Sequence, residues 1–218
     1  IYIDNRKGEK FMEIINGERL VLGTCYYPEH WDESLWRDDL KRMLENGIEV
    51  IRIAEFAWSK IERYEGVFNY DFFDRFLDVA ADMGMKVIFC TPTATPPAWL
   101  TEKYPEVLNA NMDGVLYRHG GRRHYNYNSP KYQELTTIIV EKSASHYAKH
   151  PAIIGWQIDN ELNCEKNEFY SESDTIAFRK FLMEKYGSID ALNEAWGTNF
   201  WNQTYNSFEE VYVPRTTL

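Results

Sequence analysis

Short runs of apolar and β-branched residues alternate along the chain with longer segments in which apolar residues recur at helical spacing. The short runs predict four strands, at residues 20–25, 48–53, 86–91 and from 153. The longer segments predict helices at residues 35–45, 71–83, 130–147, 174–186 and 188–196. This alternation favours an α/β fold built on a parallel sheet.

Polar residues and glycines mark the expected ends of these helices. Ser34, Asp71 and Ser129 are predicted to cap helix starts, and Ser129 is followed by a proline suited to the first helical position. Asp174 is expected to begin the fourth helix, and Gly197 to close the fifth.

The stretch between the third strand and the third helix is far longer than an ordinary βα loop. It runs from residue 92 to residue 128, and loops of that length in compact domains are usually functional or disordered. Its aromatic residues favour an ordered, ligand-facing loop: Trp99, Tyr104, Tyr117, Tyr125 and Tyr127.

Composition narrows the classes of partner. The chain has 218 residues, of which 44% are hydrophobic, enough for one domain or part of a larger one. Its net charge of -10 argues against nucleic acids and anionic membranes as partners. No apolar run approaches the roughly 20 residues needed to span a bilayer. A neutral or cationic small ligand fits this charge better.

The amino-terminal residues and the small number of cysteines give evidence on the cellular compartment of the protein. Residues 1–16 are interpreted as a short leader segment; they lack the order of a secretory signal, and the true start is expected to lie upstream of Ile1. The cysteines are Cys25, Cys90 and Cys164, an odd number with no close pair. Such sparse usage favours a reducing compartment, and we predict a cytoplasmic protein.

The fourth strand ends abruptly in an amide and a carboxylate, Asn160 and Glu161. A single glutamate after a strand is most often a solvated loop residue. In a parallel α/β sheet, however, the carboxyl ends of the strands are where catalytic groups lie. Polar residues at other strand ends make the functional interpretation the stronger one, with Glu161 as a candidate catalytic acid.

Six motifs occur in order along the chain: CYYPEHW (25–31), FAWSKIE (56–62), TATPPAW (93–99), RRHY (122–125), WQIDNE (156–161) and LNEAWGTNFW (192–201). Together they resemble the amino-terminal part of family 42 glycoside hydrolases, which are retaining β-galactosidases built on a (β/α)8 TIM barrel. A complete barrel takes about 250 residues and eight strands. The resemblance therefore implies that residues 1–218 are the amino-terminal part of such a domain, with about four β/α units.

The resemblance also implies roles for individual residues. Glu161 matches the family's general acid/base, Asn160 the residue that holds the hydroxyl next to the anomeric carbon, and Arg122 an arginine that binds galactose. The implied reaction removes terminal non-reducing β-D-galactose from β-galactosides. Retaining enzymes need a second carboxylate about 5 Å from the first as the nucleophile. In the family this is a glutamate of the seventh strand, to which no residue here corresponds.

Glu55, at the end of the second strand, is the tempting substitute for that nucleophile, but we interpret it as a rim or structural ion-pair residue. The isolated chain is therefore expected to be inactive. Two alternatives stay open: a noncatalytic fragment or sugar-binding domain, and a related enzyme that acts on another β-glycoside or an arabinoside.

Neither a metal nor a cofactor is expected. Some family members carry a zinc site of four cysteines, but Asn126 stands at the first of these positions and only Cys164 lies in the later region. His146 and His150 have a spacing that could hold a metal, yet no third ligand is nearby in the sequence. The expected partners are the galactoside and either further copies of the protein or the missing half of the barrel.

Overall fold

The computed structural model describes residues 20–162 and 164–216. Four strands form one parallel sheet in the order β1-β2-β5-β6, and two short strands form an antiparallel hairpin. The strands are β1 (Leu22–Cys25), β2 (Ile48–Ile53), β3 (Glu62–Tyr64), β4 (Val67–Phe68), β5 (Lys86–Cys90) and β6 (Ile153–Gln157). The prediction of four parallel strands separated by helices is confirmed.

Helices follow the strands along the chain. The α-helices are α1 (Trp36–Glu45), α2 (Trp58–Ile61), α3 (Asp71–Met83), α4 (Ala98–Lys103), α5 (Pro130–Tyr147), α6 (Glu172–Tyr186) and α7 (Ile189–Trp196). Short 3-10 helices occupy Pro28–His30, Glu33–Leu35, Pro92–Ala94, Pro105–Val107, Phe200–Asn202 and Phe208–Glu210. Within the described part of the chain, no helix is long and apolar enough to cross a membrane.

The described residues fall into two compact units. The first comprises residues 20–99 and 136–162 and contains the parallel sheet. Its core joins buried strand residues to the aromatic face of α3, with Phe73 edge-on to Phe89 at 5.6 Å and Trp36 of α1 edge-on to Phe76 at 5.2 Å. Each large buried side chain contributes about 1.5–3 kcal/mol through the hydrophobic effect. The sheet therefore packs against α3, which in turn packs against α1, through buried aromatic side chains.

The second unit comprises residues 100–135 and 164–216. Its core is a small apolar cluster in which Leu182 of α6, Leu192 of α7 and Val211 are almost completely buried. Partly buried neighbours complete this cluster: Phe178, Tyr186, Ile189, Tyr205 and Phe208.

Several predicted boundaries are wrong by a few residues. The first strand begins at Leu22, and the third ends at Cys90. Ser34 does not cap α1; Asp32 accepts a hydrogen bond from the Ser34 backbone at 2.9 Å and starts a 3-10 turn ahead of that helix. Asp71 is the first helical residue rather than the cap of α3.

Other predicted helix ends are confirmed. The Ser129 hydroxyl accepts a hydrogen bond from the Tyr132 backbone at 3.4 Å, and α5 begins at Pro130. Gly197 closes α7 in the left-handed conformation, as predicted, whereas this helix begins at Ile189, one residue after its predicted start, with Ser188 as the cap. The predicted start of the fourth helix at Asp174, by contrast, is wrong: α6 begins two residues earlier, at Glu172, because Asp174 forms a capping box with Ser171.

Two connecting regions contain structure beyond the predicted elements. The hairpin of β3 and β4, preceded by α2, lies between the second strand and α3. The long segment 92–128 contains α4, two 3-10 helices and isolated bridges that pair Leu108 with Tyr125 and Ala110 with Leu116. This segment is ordered, as predicted, and that it faces a ligand stays a prediction. The predicted leader, residues 1–16, lies outside the described residues.

Candidate active site

The chain makes a sharp turn immediately after β6. Asp159 has φ 53° and Glu161 has φ 49°, a left-handed conformation that side-chain-bearing residues rarely adopt. Three hydrogen bonds stabilise this turn. The Asp159 backbone donates to Thr91 Oγ1 at 2.7 Å, Thr93 Oγ1 donates to Asp159 Oδ2 at 2.8 Å, and the Asn160 backbone donates to Asp159 Oδ1 at 2.7 Å. The end of β5 thus fixes the backbone that carries Asn160 and Glu161.

Asn160 and Glu161 are brought together by this turn, as the sequence predicts. Asn160 is 7% exposed, whereas Glu161 is exposed, and Asn160 Nδ2 donates to Glu161 Oε2 at 3.4 Å. Behind them, Gln157 Nε2 donates to Asn160 Oδ1 at 3.0 Å and to the Asp159 carbonyl at 2.8 Å. An exposed carboxylate beside a buried, oriented amide can exchange protons with a ligand while the amide binds it.

An ion pair between the fully buried Glu55 and the partly buried Arg52 lies next to Gln157. Arg52, near the end of β2, donates from Nη1 to Gln157 Oε1 at 3.0 Å and from Nη2 to Glu55 Oε1 at 2.9 Å. The Tyr27 hydroxyl also donates to Glu55 Oε1, at 2.9 Å. Burial, with the hydrogen bond to Glu55, raises the pKa of Tyr27 to about 12. The ion-pair interpretation of Glu55 is confirmed; its side chain is fully buried rather than at a rim.

Glu29 is a carboxylate that the sequence reasoning missed. Both of its carboxylate oxygens are inaccessible to solvent and, among residues 20–162 and 164–216, have no hydrogen-bond partner. Burial raises the pKa of Glu29, and the nearby charge of Glu55 acts in the same direction. The only sequence signal was a glutamate directly after Pro28 in a segment rich in aromatic residues.

Arg122, the third predicted site residue, belongs to the second compact unit. Its guanidinium lies 3.8 Å from the carboxylate of Glu165, and its side chain is 19% exposed. The neighbouring Arg123 is buried and donates to the hydroxyls of Tyr125 and Tyr127 at 2.5 and 2.6 Å. Of the two adjacent arginines, Arg122 is therefore the more accessible to a ligand.

A buried polar cluster occupies the position at which the resemblance would place a zinc ligand. Asn126 donates to Ser171 Oγ at 2.6 Å and to the carboxylate of Asp174, and Asn128 donates to Asp174 Oδ1 at 2.8 Å. These bonds fasten the long segment to the start of α6. Among the described residues, no group of three histidine, cysteine or acidic side chains could hold a metal ion.

His146 and His150 each approach a carboxylate on α3. His146 Nε2 lies 2.8 Å from Asp74 Oδ1, and His150 Nε2 lies 3.5 Å from Asp78 Oδ1. Each histidine therefore pairs with a carboxylate of α3, His146 from the last turn of α5 and His150 from three residues beyond its end.

Comparison with known proteins gives a consistent result. A family model described as "Beta-galactosidase" matches residues 25–218. "Beta-galactosidase Bga" of Halorubrum lacusprofundi is 44% identical over 197 residues, which are 90% of this chain and 28% of that protein. A β-galactosidase of Thermus thermophilus is 45% identical over 199 residues, which are 91% of this chain and 31% of that protein. The chain thus spans about 30% of the length of the curated relatives it matches.

Solved structures share the fold. The β-galactosidase from the psychrophilic Marinomonas ef1 superposes with a TM-score of 0.88 at 44% identity, over 91% of this chain and 30% of that one. The β-galactosidase from Bacillus circulans superposes with a TM-score of 0.85 at 32% identity, over 90% of this chain and 29% of that one. The predicted fold, a partial (β/α)8 barrel with four parallel strands, is confirmed.

Proposed function

The chain belongs to the family 42 β-galactosidases, and from this premise we propose that it supplies the acid/base half of a retaining β-galactosidase. The proposed substrate is a β-galactoside whose terminal non-reducing β-D-galactose is removed. The observation that carries this proposal is the turn after β6, which sets the exposed Glu161 carboxylate 3.4 Å from the amide of the buried Asn160.

In this proposal Glu161 protonates the leaving oxygen and then, as a carboxylate, activates the water that releases the sugar. Its exposure supports this role, since a catalytic acid/base must reach both the ligand and water. The strained backbone at Asp159 and Glu161 supports it as well, because strained backbone conformations are concentrated at functional sites.

Asn160 and Arg122 are proposed to bind the galactose. The Asn160 amide is buried and held from behind by Gln157, so it is pre-oriented for the hydroxyl next to the anomeric carbon. A hydrogen bond to that hydroxyl strengthens as the oxocarbenium-like transition state forms. For Arg122 the proposal rests on the family resemblance and on accessibility, since its side chain is 19% exposed. A guanidinium carries several N–H donors that match sugar hydroxyls.

We propose that the nucleophile is not among these 218 residues. Glu55 is the carboxylate that the sequence offers as a substitute, but it is fully buried and bonded to both Arg52 and Tyr27. Its carboxylate takes part in these structural hydrogen bonds and is not accessible to a ligand. The polypeptide of 218 residues is then expected to bind a galactoside without turning it over.

The proposed compartment is the cytoplasm. Cys25, Cys90 and Cys164 are all free thiols. Burial raises the pKa of Cys90, which keeps that thiol protonated and unreactive. Free thiols are the usual state in a reducing compartment, which supports this proposal.

A chimera tests the proposed function. Residues 25–218 replace the matching segment of the T. thermophilus β-galactosidase, and hydrolysis of a chromogenic β-galactoside is measured. Glu161→Gln is expected to lower kcat by about 100-fold or more, because general acid–base catalysis contributes roughly 10²–10⁴-fold. Glu194→Gln, a change of an exposed glutamate on α7, is the matched control.

The outcomes separate the competing functions. Full activity of the Glu161→Gln chimera would refute the acid/base role. An inactive chimera, together with galactoside binding by the 218-residue chain, would instead favour a sugar-binding role without catalysis. Faster hydrolysis of a β-glucoside or an α-arabinoside than of the β-galactoside would point to another member of the same clan.

A further inference from the structure

A continuous row of hydrogen bonds connects the ion pair of Arg52 and Glu55, in the first compact unit, to the candidate acid/base. Arg52 donates to Gln157, Gln157 donates to Asn160, and Asn160 donates to Glu161. Every link joins side chains of this unit, and the first bridges residues 105 positions apart in the sequence.

The orientation of the Gln157 amide is dictated by two partners of fixed polarity. The guanidinium of Arg52 can only donate, so the atom of Gln157 that faces it, 3.0 Å away, must be the oxygen Oε1. The backbone carbonyl of Asp159 can only accept, so the atom that faces it at 2.8 Å must be the nitrogen Nε2. Both partners demand the same orientation.

That orientation determines the next amide in the row. Since Gln157 presents Nε2 to Asn160, the Asn160 atom 3.0 Å away must be the acceptor Oδ1. The donor Nδ2 is consequently on the side of Glu161, 3.4 Å from Oε2. The reverse orientation would place two N–H groups against each other at Gln157 and two oxygens against each other at Glu161.

We propose that Gln157 is a positioning residue, which sets the orientation of the Asn160 amide and thereby the donor presented beside Glu161. This inference rests on the proposed roles of Asn160 and Glu161 in binding and hydrolysing a galactoside. Arg52 is the fixed origin of the row, because its own position is held by the ion pair with the fully buried Glu55. Gln157 is not placed to touch the sugar in this scheme; it acts through Asn160.

The test is a double-mutant cycle in the 218-residue chain, with binding of a non-hydrolysable thio-β-galactoside measured by calorimetry. Gln157→Met preserves side-chain length but removes both hydrogen-bonding atoms, Asn160→Ala removes the proposed contact, and the third variant combines them. Gln203→Met, a change of an exposed glutamine, is the matched control and should bind like the wild type.

Gln157→Met is expected to weaken binding by roughly three- to tenfold, the usual effect of one lost hydrogen bond. In the Asn160→Ala background the same change should have no further effect, because the residue through which it acts is gone. Equal effects of Gln157→Met in the two backgrounds, or no effect in the wild-type background, would overturn the proposal.

A second measurement is independent of sugar binding. In the wild type, the side-chain amide signals of Asn160 in a ¹⁵N NMR spectrum, identified by their loss in Asn160→Ala, should exchange slowly with water. Gln157→Met should accelerate this exchange, and unchanged exchange would overturn the positioning role. Failure of the wild-type chain to bind any galactoside would count against the proposed function, while these amide signals would still decide the role of Gln157.

Discussion

The carboxylate of Glu55 accepts a hydrogen bond from Arg52 at 2.9 Å, although no part of the Glu55 side chain is exposed to solvent. An ion pair in such an environment stabilises the fold only while both partners are present. The same arginine also bonds to Gln157, so this pair underlies both the stability of the sheet end and the order of the candidate site.

Glu55→Ala is therefore expected to be destabilising. It leaves Arg52 without its counter-charge, and because that side chain is 29% exposed the cost is expected to lie between the roughly 1 kcal/mol of an exposed pair and the roughly 3–5 kcal/mol of a fully buried one. Urea unfolding of the 218-residue chain measures the loss. Asp82→Ala, which breaks the exposed pair with Arg37, is the control and should change the free energy of unfolding by less than about 1 kcal/mol. Similar effects of the two changes would contradict this account of the pair between Arg52 and Glu55.

Glu29→Gln is expected to stabilise the chain at neutral pH. Burial raises the pKa of Glu29 in the folded state, so the folded state binds the proton more tightly than the unfolded state does. This contribution to stability is fully present below the unfolded pKa and is lost as the pH rises through the folded pKa. The variant carries no ionisable group there and should lose less stability between acidic and neutral pH.

Melting temperatures across that pH range compare the Glu29→Gln variant with the wild type. Glu45→Gln, at an exposed glutamate, should follow the wild-type profile. A Glu29→Gln variant with the same pH dependence as the wild type would show that the Glu29 carboxylate is not penalised by burial.

Asn126→Ala should loosen the attachment of the long segment to α6. The change removes the hydrogen bonds that Asn126 donates to Ser171 and Asp174, while Ser171 and Asn128 continue to donate to Asp174. The expected loss in the free energy of unfolding is therefore that of the lost hydrogen bonds, about 1–3 kcal/mol in total. Thermal unfolding measures this loss, and Asn206→Ala, at an exposed asparagine, serves as the control.

In the same experiment a metal chelator should leave the wild-type melting temperature unchanged. A chelator-induced decrease would show that the polar cluster does not replace a metal.

The 218-residue chain is expected to self-associate or to bind the remainder of a barrel. Within the described residues, β1 and β6 are the edges of an open parallel sheet, and such edges promote pairing with other chains. Large apolar side chains near these edges are exposed, with Leu22 at 50% and Ile158 at 79%. Sedimentation velocity should therefore show species larger than a monomer. A single monomeric species with a cooperative melting transition would contradict this expectation.

The sequence predicts the sheet and part of the site because those features are local. Each buried strand is a compact apolar run, and Asn160 and Glu161 follow such a run directly. The hairpin of β3 and β4 was not predicted, since strands of three and two residues are too short to show a period of two. The prediction of Ser34 as the cap of α1 is wrong because Ser34 lies within a 3-10 turn that precedes this helix and is itself capped by Asp32.

The contacts that organise the site could not be predicted from local patterns. The link between Arg52 and Gln157 depends on the positions of strands that are far apart in the sequence. Glu29 and Glu55 become buried only when the segments around them fold together. Arg122 and its role come from the family resemblance, and its place in the second unit gives no independent signal of a sugar site.

The most direct test of the central claim, that Glu161 is the general acid/base, is azide rescue of the Glu161→Gln chimera. With an activated aryl β-galactoside, the variant should form its glycosyl intermediate but release it slowly, and azide should accelerate turnover and yield β-galactosyl azide. The retained β configuration would show that Glu161 acts as the acid/base of a double-displacement reaction. No rescue by azide, or a product of the α configuration, would contradict the assignment of Glu161.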